Sequence, residues 1–189
     1  MMLRALRHDI WATEKLLAHC RTLNTEQLDL TVPGTYGSIR HTLSHLVRGD
    51  ERYLVRLGVM SGPTLPEDDD ASLDEIASHL AKVKTTVDAL FSGSQFDPDK
   101  VVLDVLRRVP TDPPLEIDSW TMLVQFAHHG SDHRAHIGTI LGAHGLRTAD
   151  LDVWAYGRET GAIRERRGEP WRGRPVKHGV AKRSGGSAG

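Results

Sequence analysis

Two histidines, His129 and His133, stand four residues apart in a stretch where Phe126, Ile137 and Ile140 continue the same spacing of three and four. On a helix these five residues share one face, and side chains four apart have Cβ atoms within roughly 5–6 Å, near enough for both rings to reach one ion. A His-x-x-x-His pair on an apolar stripe is a potential chelate, although a satisfied pair of core or surface histidines explains it equally well. His45 shifts the balance. It sits beside Leu43 and Leu46 in a second stripe, Ile39, Leu43, Leu46, Tyr53, Leu54 and Leu57, and a helix facing the first would bring it in as a third ligand. Leaving three buried imidazoles without a shared partner costs on the order of 1–3 kcal/mol for each unsatisfied group; a divalent cation offsets that cost. Three neutral nitrogens also leave coordination positions open to water or substrate, as in catalytic rather than closed structural sites.

The other polar residues are weighed the same way. Eleven histidines are many for 189 residues, but placement decides their meaning. His128, Asp132 and His136 lie on a different stripe of the same segment, read as a solvated face. His41 shares a stripe with Arg48 and Arg52, which points outward. His8, His19, His79, His144 and His178 are expected to be exposed. Asp50 is a carboxylate inside an apolar stripe, where one is unexpected; it either orients a ligand histidine from behind or pairs with an arginine such as Arg134. Cys20 has no neighbour in sequence that would lower its pKa and reads as a small core residue.

Several chemistries are excluded by missing patterns. The chain has no His-Glu-x-x-His and no Gly-x-x-x-x-Gly-Lys phosphate loop. It also lacks the Glu-x-x-His pairs of di-iron bundles. One mononuclear histidine site is what remains.

The elements that must position these residues are helices. Leu3, Leu6, Ile10, Trp11 and Leu17 repeat at helical spacing from Met1 to Arg21. After Pro33-Gly34 a second helix begins behind Ser38 as N-cap and carries His45. Ser72-Leu73-Asp74-Glu75 is a capping box that opens a third helix, with Leu73, Ile76, Leu80, Val83, Val87 and Leu90 on its stripe. The stretch from Ser92 to Pro114 holds Pro98, Pro110, Pro113 and Pro114 and reads as a long connection, with Val101 to Val105 extended. A fourth helix runs from about Ile117 to Ala143, bracketed by Gly142 and Gly145, and a shorter closing helix lies within Asp150 to Ile163. Four long amphipathic segments with little strand signal predict an all-α, antiparallel four-helix bundle, in which metal sites are built from side chains facing one another across the core. The bundle domain spans 1–163; residues 164–189, rich in Arg, Gly and Pro, form a flexible basic tail.

Composition agrees. Hydrophobic residues at 39% and charged residues at 26% are those of an ordinary globular domain, and the length allows one core. A formal net charge of -1 argues against a dedicated nucleic-acid surface. The lone Cys20 excludes an internal disulfide and fits a reducing compartment. No run of about 18 apolar residues and no leader pattern is present, so the cytoplasm is the expected location, with no membrane partner.

Two segments carry a family resemblance. Thr35-Tyr36-Gly37-Ser38-Ile39-Arg40-His41-Thr42-Leu43-Ser44-His45-Leu46 and His128-His129-Gly130-Ser131-Asp132-His133-Arg134 resemble the DinB-like superfamily of metal-dependent enzymes. Asp9-Ile10-Trp11-Ala12 and Leu151-Asp152-Val153-Trp154-Ala155-Tyr156 look like its ends, so the likeness covers about Met1 to Ile163. The resemblance implies a four-helix bundle, often a homodimer, with a three-histidine site for zinc, nickel or iron that falls on His45, His129 and His133. His136 stands where many relatives have glutamine. Characterised relatives include transferases and isomerases that use low-molecular-weight thiols such as mycothiol, bacillithiol or glutathione.

The leading functional expectation is therefore a metal-dependent transferase that joins a small thiol to a small-molecule electrophile, held in a cleft between the helices and the Ser92 to Pro114 connection, with Arg134 available to a carboxylate of the thiol. A hydrolase using metal-activated water is the enzymatic alternative. A non-catalytic, metal-stabilised binding protein of the stress response is the alternative from a different class.

Overall fold

A computed structural model of the protein describes residues 2–66, 71–92, 96–104 and 113–165. The predicted tail after 165 and the acidic run at 67–70 lie outside the described residues. The helices are α1 Met2–Cys20, α2 Thr25–Leu28, α3 Ile39–Arg56, α4 Leu73–Ser92, α5 Ser119–Ala143 and α6 Val153–Glu159, with strands β1 Val101–Asp104 and β2 Leu115–Asp118 between α4 and α5.

The caps read from sequence form as predicted. Ser38 accepts the backbone N–H of His41 at 3.1 Å. Ser72 and Glu75 close a reciprocal box, with Ser72 N–H donating to Glu75 and Glu75 N–H donating to Ser72 Oγ. At the far end of α5, Gly145 takes φ +69 and Leu146 N–H returns to the Leu141 carbonyl at 2.9 Å, which stops the helix where the glycines placed its end. The short α2 is an element the periodicity does not show; one turn is too brief to establish a period, but its Asn24 and Gln27 form a capping box.

The four long helices make the bundle. Along α1 and α4 the ion pairs Arg7–Asp88, Glu14–Lys84 and Arg21–Asp74 run in opposite senses, so these helices are antiparallel. α3 and α5 are antiparallel too, since His45 meets His133 and Tyr53 meets Gln125. α1 and α5 run in the same sense: Asp9 meets Arg134, and His19 near the end of α1 bonds the Arg147 carbonyl just past the end of α5. Leu6, Leu16, Leu43, Leu46, Leu54, Ile76, Leu80, Phe126 and Ile137 fill the space between them with next to no exposure, and burying each such side chain is worth about 1.5–3 kcal/mol. Cys20 is part of this core, its thiol pushed up to about 12 by burial, as expected for a packing residue.

The connection before α5 contains more order than a loop. β1 and β2 pair antiparallel, Val101 opposite Asp118 and Asp104 opposite Leu115. Asp118 precedes α5 without a side-chain cap; instead Ser119 and Trp120 donate their N–H groups to the carbonyls of Lys100 and Pro98 at 2.9 and 2.8 Å. The hairpin thus caps the helix that carries two of the three histidines. Among the described residues no helix is long and apolar enough to cross a membrane.

Candidate metal centre

Because α3 and α5 are antiparallel, consecutive turns of one face consecutive turns of the other. His129 and His133 leave α5 on its inner face, and His45 leaves α3 toward them. The ring centroids are 4.4 Å apart for His129 and His133, 4.7 Å for His45 and His133, and 5.2 Å for His45 and His129. One ring nitrogen from each lies within 4.8 Å of the other two. Donors on one ion at about 2.0–2.1 Å stand roughly 3.4 Å apart in a tetrahedral site, so a modest inward movement of the rings brings these nitrogens onto a single ion, and the sequence picks out the same three residues.

Their electrostatics favour a cation over protons. Burial lowers the His45 pKa from 6.5 to about 3, assisted by His133, His129 and Arg48. His129 and His133 fall to about 4, again by burial first and then by a neighbouring histidine, while Asp132 pulls the other way. At neutral pH all three rings are uncharged, and Nδ1 of both His129 and His133 is buried without a hydrogen-bond partner among the described residues.

Tyr36, in the turn before α3, is a site residue the spacing argument misses. Its hydroxyl lies 2.7 Å from Nδ1 of His45, and Nη2 of Arg48 lies 3.0 Å from the same nitrogen. A guanidinium has no acceptor, so in the metal-free site Nδ1 of His45 receives the Arg48 bond; with Nε2 on an ion, Nδ1 would instead carry the proton and donate it to the Tyr36 hydroxyl. The Tyr36 ring stacks on His41 and meets His133 edge-on at 4.9 Å, yet stays 41% exposed; it forms a solvent-side wall of the site. Arg48 corrects the outward reading of its stripe: it is buried, and its Nη1 donates to the Pro66 carbonyl. His41, half-buried against Tyr36, borders the site and does not point away from it.

The remaining histidines divide. His128 and Asp132 sit 3.6 Å apart on an exposed face, as expected. His136 is half-buried with its ring 5.6 Å from His133 and lies outside the triad. His144 is exposed, and His178 falls outside the described residues. His8, His19 and His79 are half-buried, contrary to expectation, because each reaches a partner on another segment: His8 the Leu151 carbonyl, His19 the Arg147 carbonyl, and His79 the carboxylate of the fully buried Glu51.

Arg134 is not available to a ligand. It is buried and bonds Asp9 Oδ1 at 2.5 Å, the Asp9 carbonyl at 3.2 Å and Thr13 Oγ1 at 3.0 Å. Gly130 makes this approach possible, since a Cβ there would collide with the Asp9 carboxylate and lie 2.8 Å from Nη1 of Arg134. Burial outweighs the guanidinium and holds the Asp9 carboxyl above its usual value. Asp50, fully buried, is held well above the ordinary carboxylate range by burial and by the nearby Asp9, with Arg134 opposing. Its Oδ1 is 3.9 Å from Nδ1 of His129.

Gly49 is the second residue that spacing alone overlooks. A Cβ at this position would penetrate the His129 ring at Cε1 and come 2.8 Å from Nε2. The signal was present as a glycine inside an otherwise good helical stripe, which usually has a packing reason. In an ordinary helix Gly49→Ala would stabilise by up to about 1 kcal/mol. Here the clash is expected to reverse the sign, lowering stability by about 1–3 kcal/mol, and to displace His129 so that zinc affinity falls as well; denaturant unfolding with and without zinc measures both.

A cavity of about 880 Å³ opens between α1, α5 and α6, lined by Arg4, His8, Asp9, Ser131, Arg134 and Tyr156 among others. None of the three histidines lines it. Part of the expected cleft along the Ser92 to Pro114 connection lies outside the described residues.

A family model described as the DinB family matches residues 2–168. The crystal structure of a DinB-like protein from Bacillus cereus superposes with a TM-score of 0.59 at 20% identity, over 79% of this chain and 94% of that one. At that identity the likeness speaks for the fold. No curated protein matches the chain.

Proposed function

The chain belongs to the DinB family, and from that premise we propose that it is a metal-dependent enzyme: His45, His129 and His133 hold one divalent ion, and a low-molecular-weight thiol is transferred there to a small electrophile. The observation that carries the reading is the convergence of three uncharged imidazoles from two facing helices, with two buried Nδ1 atoms left unpaired. A cation gives the three converging rings one shared partner, and zinc, nickel and iron all accept such a donor set.

When bound, the ion supplies Lewis acidity that binds a thiol sulfur and lowers its pKa. The chain's own contribution is positional. Three neutral ligands leave the ion's charge uncompensated, which favours an anionic fourth ligand such as a thiolate. The nearby carboxylates do not face the mouth: Asp50 is fully buried behind His129, and Glu51 is engaged by Leu65 N–H and His79. Because a bound ion would also lower the pKa of water directly, the two enzyme readings are separated by whether turnover needs an added thiol. Tyr36, half-exposed beside His45 and His133, offers a flat apolar wall against which an electrophile can be oriented.

Protein purified without added metal is expected to carry about one zinc, nickel or iron per chain by elemental analysis, in keeping with a three-ligand open site. Turnover of a reactive electrophile should depend on an added thiol, disappear on chelation and return with metal. Equal turnover without thiol would replace the transferase reading with hydrolysis, and no turnover of any electrophile or ester would leave a metal-stabilised binding protein.

A further inference from the structure

Asp50 is a carboxyl with no evident use. It lies on α3 five residues beyond His45, fully buried, and neither of its oxygens has a hydrogen-bond partner among the described residues. Buried polar atoms in native proteins nearly always have partners, so an orphan calls for an explanation. A second orphan faces it: Nδ1 of His129, buried and unpartnered, at 3.9 Å from Asp50 Oδ1. The gap exceeds a charge-assisted N–H···O bond, about 2.7–2.9 Å, by roughly 1 Å, which a small shift of the ring closes. The neighbouring ionic groups are occupied elsewhere, Arg134 with Asp9 and Thr13, and Glu51 with Leu65 and His79. Gly49, adjacent to Asp50, leaves the space in which the His129 ring lies against α3.

We infer that Asp50 is the positioning residue of the metal centre: its carboxylate accepts the Nδ1 proton of His129 in the loaded site, fixing the tautomer that leaves Nε2 to the metal. This rests on the metal reading above. Ligand histidines held in this way by a carboxylate have fixed ring orientation and greater basicity. The bond also gives partners to His129 Nδ1 and Asp50 Oδ1, so the carboxyl is explained by the loaded state and not by the packing of the metal-free bundle.

The test uses the full chain and zinc. Asp50→Ala is expected to weaken zinc binding about 10- to 100-fold in competition with a chromophoric chelator, whereas Asp50→Asn, whose carbonyl can still accept the Nδ1 proton, retains most of the affinity. The metal-free unfolding midpoint of the alanine variant should stay at or above that of the wild type, an outcome a purely structural carboxylate would not give. In the zinc-loaded wild type, nitrogen-15 spectra should show the His129 proton on Nδ1; this measurement decides the matter if the alanine variant does not fold. A loss of less than about threefold in Asp50→Ala, well short of what outer partners contribute, or a His129 proton on Nε2, overturns the inference while leaving the metal site standing. A wild type that binds no zinc overturns both.

Discussion

His45→Ala is expected to lower zinc affinity by more than about 100-fold, beyond what loss of any outer partner of a ligand costs, with little change in the metal-free fold. The reason is the division of labour between the helices. On the proposed reading His129 and His133 on α5 would form a two-toothed chelate, and α3 would close the site with a single half-buried ring whose removal leaves the Leu43, Leu46 and Leu54 packing in place. Calorimetric or chelator-competition titration of both proteins checks the affinity, and thermal unfolding in chelator checks the fold. A variant that binds zinc as tightly as the wild type removes His45 from the site. The pH dependence follows from the same rings. Each folded-state pKa lies below 6.5, so as pH falls the unfolded chain takes up these protons first. The metal-free protein therefore loses stability from these groups between about pH 6.5 and about 3, the His129 and His133 contributions levelling off near 4 and that of His45 near 3. In the folded protein protons compete with zinc at these rings only near the bottom of that window, and the ion should be retained at pH values where free imidazole is already charged.

Arg134→Ala should be the most destabilising single change. It leaves the Asp9 carboxylate, 1% exposed, without its bonded cation and the fully buried Asp50 without that cation's opposing charge. Removing one partner of a buried pair costs about 3–5 kcal/mol, which for a domain of this size lowers the melting temperature by roughly 6–20 °C. Replacing both partners with apolar residues, Asp9→Leu with Arg134→Met, should recover much of the loss, because the penalty arises from the uncompensated charge. A melting temperature within about 2 °C of the wild type for Arg134→Ala, less than 1 kcal/mol on the same scale, would show that the pair is not structural. That result would reopen Arg134 as a group able to receive a ligand's carboxylate.

The helices, their caps and the three histidines were legible in the chain because each depends on local periodicity. His129 and His133 belong to one helix, so their spacing alone sets their separation. Ser38 and Ser72 mark helix starts by chemistry confined to one turn. Gly49 and Gly130 were visible as residues but not as devices, since what each makes room for, the His129 ring and the Asp9 carboxylate, comes from a different helix. Tyr36 was visible only within the family-like segment, because it reaches His45 through a turn with no period to read.

The sequence by itself determined the four amphipathic helices, the apolar stripes they pack on and the spacing of the histidine pair on α5, all consequences of which residues recur every three or four positions. Only the tertiary structure decided which charges are inside. Arg48 and Arg134 read as surface or ligand-facing cations, yet one is folded onto Pro66 and His45 and the other onto Asp9 and Thr13. A side chain's charge is local, but the partner that makes its burial tolerable lies up to 125 positions away along the chain, and helical periodicity carries no information over that distance. The same holds for Asp50 and His129, which meet only because α3 and α5 do.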